Sequence, residues 1–146
     1  LRKAGLLFIK RQETVVLFFP NDKMTGFYTE KRKIPAVSNQ QKKLKEVMDE
    51  LLKGPRRPDL VSPFPSGTRC LEVFISKAGT AYLNFSSELK TGHPGGSTAE
   101  WATIMSIVKT VARNVNVKRV KILINDCEVE TLAGHVNLIK PLEVKR

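Results

Sequence analysis

Apolar positions in this chain recur with two different periods, and the alternation between them predicts its elements. Thr14 to Phe19 is an unbroken apolar run closed by Pro20 and the turn residues Asn21 and Asp22, the pattern of a short buried strand. Phe27 to Ile34 is a weaker strand that carries basic residues, and Pro35 stops it. Leu44, Val47, Met48, Leu51 and Leu52 then fall at i, i+3, i+4, i+7 and i+8, which lays one apolar stripe along a helix. Ser38 or Asn39 can cap that helix, and Gly54-Pro55 ends it. Its polar side pairs Lys42 with Glu46 and Lys45 with Asp49, the arrangement of a solvated face.

Pro55, Pro58, Pro63 and Pro65 make the stretch from 55 to 67 an extended surface connector. A hairpin follows. Leu71, Val73 and Ile75 share one face of its first strand, Ala81, Leu83 and Phe85 share one face of its second, and Lys77-Ala78-Gly79 turns between them. In a second helix, Ser97 and Glu100 have the spacing of a capping box, and Trp101, Ile104, Met105, Val108, Val111 and Ala112 are expected to face the core. Lys118 to Asn125 returns as a strand with Val120, Ile122 and Ile124 inward and Arg119, Lys121 and Leu123 outward. Asp126 begins a turn, and Glu128 to Thr131 is expected to pair back as a short extra strand.

The order of strand, helix, hairpin, helix and strand contains no internal repeat, and right-handed crossovers place both helices on the same side. The expected fold is α+β: a two-layer sandwich in which a small mixed sheet of βαββαβ-like order carries two helices on one face. Leu1 to Gln12, with Arg2, Lys3, Lys10 and Arg11 and no acidic residue, is expected to be a basic arm or linker ahead of a single domain at 13–146.

Charge adds a sign but no identity. The formal net charge of +11 would attract nucleic acid, anionic lipid or an acidic polymer alike. No apolar run approaches the roughly 20 residues of a transmembrane span. No signal-peptide pattern occurs within these residues, which says nothing about compartment. Cys70 and Cys127 lack metal or redox spacing. With their strands taken as parallel, the two are expected at opposite ends of the sheet as free thiols, beyond the roughly 7 Å between Cα atoms that a disulfide spans.

Four segments carry a family resemblance: Leu52-Lys53-Gly54-Pro55, Pro65-Ser66-Gly67-Thr68, the helix entry Gly95-Gly96-Ser97, and Glu130-Thr131-Leu132-Ala133-Gly134-His135. Over about residues 13 to 142 the chain resembles the GerMN domain of bacterial sporulation and spore-germination proteins, which occurs in envelope proteins and lipoproteins and is similar to the ring-building motif. The resemblance implies a non-enzymatic assembly domain on the exported side of the cytoplasmic membrane, with protein partners or self-association and no cofactor. It also implies a structural role for Gly95, Gly96, Ser97, Gly134 and His135.

The residues themselves offer little chemistry. Gly92-His93-Pro94-Gly95-Gly96 precedes a helix but lacks the Lys-Ser or Lys-Thr of a phosphate loop. Ser97 has no nucleophile-elbow context, and its expected part is to cap the helix. His93 and His135, the only histidines, have no metal-ligand spacing; His135 is expected to fix the final turn beside Gly134 through a backbone hydrogen bond. The basic clusters are the better candidates. Phe18, Phe74 and Tyr82 are expected on the open sheet face, and Arg32, Arg57, Arg119 and Lys121 beside Phe74 and Tyr82 form the candidate interaction surface. Arg119 and Lys121, as outward strand positions, are expected to tolerate charge reversal. The alternative reading of that surface is a cytoplasmic nucleic-acid-binding module, since basic sheets with exposed aromatics stack bases, although the basic-Gly-aromatic signature of RNA-recognition modules is missing.

Overall fold

The computed structural model describes residues 11–145, so all but the last two residues of the expected basic arm lie outside the described residues. Strands β1 (Gln12–Pro20) and β2 (Phe27–Pro35) form an antiparallel hairpin. Helix α1 (Gln40–Leu52) is capped by Asn39, whose side chain accepts from Lys42 N at 2.8 Å. It buries Leu44, Val47, Met48 and Leu51 completely, each burial worth about 1.5–3 kcal/mol. After the proline connector come β3 (Cys70–Ile75) and β4 (Thr80–Phe85), then a single turn α2 (Glu88–Thr91) and the long helix α3 (Ser97–Asn114). Strand β5 (Arg119–Ile124) and the short strands β6 (Cys127–Glu128) and β7 (Leu142–Glu143) complete the chain.

The class is α+β, as the periodicity predicts. β3, β4, β5 and β6 lie side by side in that order, with β7 on the start of β5. β4 and β5 are parallel, so α3 is their crossover connection. Ala81, Leu83 and Phe85 face the same core as Val120, Ile122 and Ile124, joined there by the apolar stripes of α1 and α3. The β5–β6 turn is Asn125-Asp126, both with positive φ of 49° and 71°, as a two-residue primed turn requires. Asn84 holds it by accepting from Asp126 N at 2.8 Å and donating to Asp126 Oδ1 at 2.6 Å.

One arrangement departs from a single sheet: β1 and β2 form a two-stranded sheet of their own. The reason is a polar stripe on α3 that occupies the free edge of β1. Asn114 accepts from Val16 N at 3.0 Å and donates to Val16 O at 2.7 Å, so its amide imitates a neighbouring strand. One and two turns earlier, Thr110 accepts from Phe18 N at 3.0 Å and Ser106 donates to Phe18 O at 2.6 Å. With the outward groups of Val16 and Phe18 satisfied by side chains, the middle of that edge is closed to β3, β4 and β5.

The cysteines are free, Cys70 buried and Cys127 exposed, but for a different reason from the one expected. β3 runs antiparallel to β4 and β4 parallel to β5, so both cysteines sit at the same end of the sheet. Three strand spacings, roughly 14 Å, keep them apart. Burial pushes the Cys70 thiol up to about 12.

Candidate functional site

Two sites emerge, one structural and one exposed. The first is centred on Glu100, which no solvent reaches. The expected capping box does not form: Gly96 is the cap of α3, Ser97 is already inside the helix, and no side chain caps the end. Glu100 instead points into the loop after β6. Oε2 accepts from Leu132 N at 3.1 Å, Ala133 N at 3.0 Å and Val136 N at 3.3 Å, while Oε1 accepts from His135 N at 2.9 Å. Gly134, at φ +98°, lets the chain curl so that successive N–H groups converge on one carboxylate. His135 Nδ1 lies 3.1 Å from Oε1 and must carry a proton there, because an ionised carboxylate only accepts. Burial pushes the Glu100 carboxyl upward, but the N–H groups of Ala133, Val136 and His135 and the His135 ring outweigh it and hold it below the ordinary carboxylate range.

The helix entry is locked in a similar way. Gly95 and Gly96 adopt φ of +89° and +90° with open space where a Cβ would stand, so they are needed for their backbone conformation and not for room. Gly95 N donates to His93 Nδ1 at 3.1 Å, which makes Nε2 the protonated nitrogen facing Thr103 Oγ1 at 2.9 Å. The Thr103 hydroxyl in turn donates toward Pro63 O at 2.8 Å and Ala99 O at 2.9 Å. Burial lowers the His93 pKa, in keeping with a neutral ring in this chain of bonds. The glycine-histidine motif and the final loop are thus both taken up by the architecture of α3.

The expected surface separates into parts. Phe74 and Tyr82 lie together on the open face of β3 and β4, 55% and 36% exposed with ring centroids 6.1 Å apart. Phe18 is elsewhere, in the β1–β2 sheet, because β1 never joins the main one.

Arg32 is not at the surface. Alternation on β2 puts it on the face of Ile34, where it is 3% exposed, bonded through Nε to Glu30 at 3.0 Å, to Glu50 at 3.3 Å and to Gly54 O at 2.7 Å. Lys121 is also enclosed, 4% exposed, because the segment before β7 crosses over β5. Its ammonium group donates to Leu138 O at 3.2 Å and to Ile139 O, and pairs with Glu128 at 2.8 Å. Arg57 is exposed but bonded to Asp59 at 2.6 Å, and Arg119 donates to Ala78 O at 3.3 Å with Glu143 3.9 Å away.

The expected tolerance of charge reversal therefore fails at Lys121. Lys121→Glu is expected to destabilise the domain by about 3–5 kcal/mol, since it buries a carboxylate against two carbonyl oxygens and Glu128. Arg119→Glu is expected to stay within about 1 kcal/mol. Denaturant titration of the two single variants checks the contrast.

Trp101 also departs from expectation. It is 46% exposed and packs at a 56° tilt against Phe27, with centroids 5.3 Å apart, while Ile104, Val108 and Val111 from the same predicted stripe are buried. The buried side of α3 is wider than the stripe and centred away from it, taking in Ala102, Thr103, Ser106, Ile107 and Thr110, so the Trp101–Met105–Ala112 edge of the stripe lies at the rim.

Residues 16–130 match the model of the Germane family, described as sporulation and spore germination. The chain belongs to this family. The matched segment begins within β1 and ends one residue before the turn that encloses Glu100. Among solved structures, the Germane domain is similar to a candidate lipoprotein from Clostridium perfringens, with TM-score 0.66, 22% identity, and 92% of this chain and 87% of that one covered. It is also similar to the first GerMN domain of the sporulation protein GerM from Bacillus subtilis, with TM-score 0.65, 21% identity, and 92% and 99% covered. Against the tandem GerMN domains of the same protein the TM-score is 0.68 at 20% identity, and the chain spans 46% of that structure. No curated protein matches the chain.

Proposed function

We propose that this Germane domain is a non-catalytic assembly module of a bacterial envelope protein, placed on the exported side of the cytoplasmic membrane. In this reading it docks through the open β3–β4 face onto another protein domain, either a second copy or a related ring-building-type fold. The observation that carries the reading is the Phe74–Tyr82 pair. Two aromatic rings packed on each other and left open to solvent are the kind of anchor that dominates interface energies. The family's link to sporulation and germination, and the similarity to the Clostridium perfringens protein, support an envelope setting.

Binding is favoured over catalysis because the residues that could carry chemistry are engaged in structure. His93 and His135 are spent on loop geometry, and Glu100 is enclosed by N–H groups. The nucleic-acid reading loses its basis on the sheet face, where Lys121 is covered and Phe18 is missing, while Arg32 is buried in the hairpin.

Phe74→Ser with Tyr82→Ser is expected to leave the melting temperature within a few degrees, because both rings are exposed, and to weaken self-association or partner capture about 100-fold. Sedimentation velocity of the purified protein and affinity capture from envelope extracts check it. Unchanged association in the double variant would remove this face from the interface.

A further inference from the structure

We propose that the groove between α3 and β7 is a docking surface for a lipid bilayer rich in anionic headgroups. Two adjoining hollows of about 570 and 420 Å³ share Lys109, Ala112 and Lys145. Their floor is apolar, made by Phe18, Met105, Val108 and Leu142, and their rim is basic, made by Lys109, Arg113 and Lys145. None of these three cations pairs with a carboxylate among the described residues. Lys109 sits 5.6 Å over the Phe27 ring, and Phe27 in turn packs at a tilt against the half-exposed Trp101.

Position on the helix explains the grouping. Trp101, Met105, Lys109 and Arg113 are four residues apart, so they form one line of about 18 Å along α3. An indole and a phenyl ring beside an apolar trough edged by three cations without carboxylate partners match the boundary between acyl chains and phosphate headgroups, where aromatics and basic side chains settle together. An acidic polypeptide would satisfy the charges, but it fits less well. The hollows are lined by apolar side chains and long basic stems, with no side-chain amide or hydroxyl to meet a peptide backbone. Glu143, the one carboxylate in the lining, lies toward Arg119.

The proposal does not depend on the β3–β4 face, since vesicle binding and partner capture use different residues and each can fail alone. Trp101 is the only tryptophan in the chain and stands one turn from Met105 on the same ridge of α3, so its fluorescence reports the surface beside the groove. The protein is mixed with vesicles of phosphatidylcholine alone or of phosphatidylcholine with phosphatidylglycerol, and with poly-glutamate as an acidic polypeptide. Co-sedimentation and a blue shift of Trp101 emission are expected with the anionic vesicles only.

The triple variant Lys109→Glu, Arg113→Glu, Lys145→Glu is expected to bind at least about 100-fold more weakly, because each basic residue near an anionic bilayer is worth about a fivefold gain. The control triple Lys31→Glu, Lys33→Glu, Arg56→Glu carries the same net charge at exposed positions elsewhere and is expected to retain most of the binding and the full blue shift. Loss of binding in both triples would overturn the proposal in favour of net charge. A Trp101 shift with poly-glutamate and none with vesicles would overturn it in favour of an acidic polypeptide. No shift with either would show that the groove is not a docking surface for these anions.

Discussion

Glu100→Gln is expected to lower the melting temperature by about 6–12 °C, from a loss of about 3 kcal/mol in a domain of this size. Four backbone N–H groups and the His135 ring converge on the carboxylate, and an amide keeps only one accepting oxygen while turning its NH₂ toward donors. The loss should be local in origin and global in effect, because the enclosed loop places Leu132 and Leu138 in the core.

The pH dependence follows from the direction of the shift. A carboxyl held below its ordinary value of 4.5 in the folded protein contributes stability that is fully present above that value and is lost as pH falls through the lower folded value. Glu30 and Glu50 move in the same direction: burial pushes both upward and is outweighed, by Arg32 and the Arg56 and Arg57 N–H groups at Glu30, and by Lys53 and Arg32 at Glu50. The domain should therefore unfold more readily below about pH 4.5. Glu100→Gln should flatten that slope, and melting curves collected across the acid range would show it. An unchanged slope would mean that Glu100 is not the group being titrated.

Arg32→Met is the second large effect, about 3–5 kcal/mol or a fall of roughly 6–20 °C in melting temperature. The guanidinium joins Glu30 on its own strand, Glu50 on α1 and the carbonyl of Gly54, and so ties the hairpin to the end of the first helix. Without it Glu30 stays buried with only the Arg56 and Arg57 N–H groups to stabilise its charge. Adding Glu30→Leu should recover part of the loss, since an uncompensated buried charge costs more than the pair contributes. The gap between wild type and Arg32→Met should also narrow as pH falls, because protonation relieves the stranded carboxylate. A double variant no more stable than Arg32→Met would point to lost packing instead of lost charge balance.

Local order was legible in the sequence wherever neighbours along the chain decide it. The Asn39 cap, the α1 stripe, the β3–β4 turn at Gly79 and the inward positions of β5 all follow from period, caps and turn residues. What escaped depends on groups far apart in sequence. The edge of β1 is closed by Asn114, 98 residues later, and a polar side chain on a helix gives no sign of whether it meets water or a strand. Glu100 fits a capping box equally well by spacing, and only the path of the loop at 131–136 decides where it points. Lys121 is outward by alternation, as expected, and buried because a later segment crosses over it. Arg32 was readable in part, since it shares the phase of Ile34 on β2, but a run of Lys31, Arg32 and Lys33 reads as a solvated cluster until that phase is followed.

The most direct test of the assembly reading places a photo-cross-linking amino acid at position 74 of the native full-length protein in its own cells, with position 31 as a control on the exposed side of β2. The account predicts protein adducts from position 74, recovered in the envelope fraction and reached by added protease once the outer layers are opened, with far fewer from position 31. Adducts equal at both positions, or a protein confined to the cytosol, would contradict it.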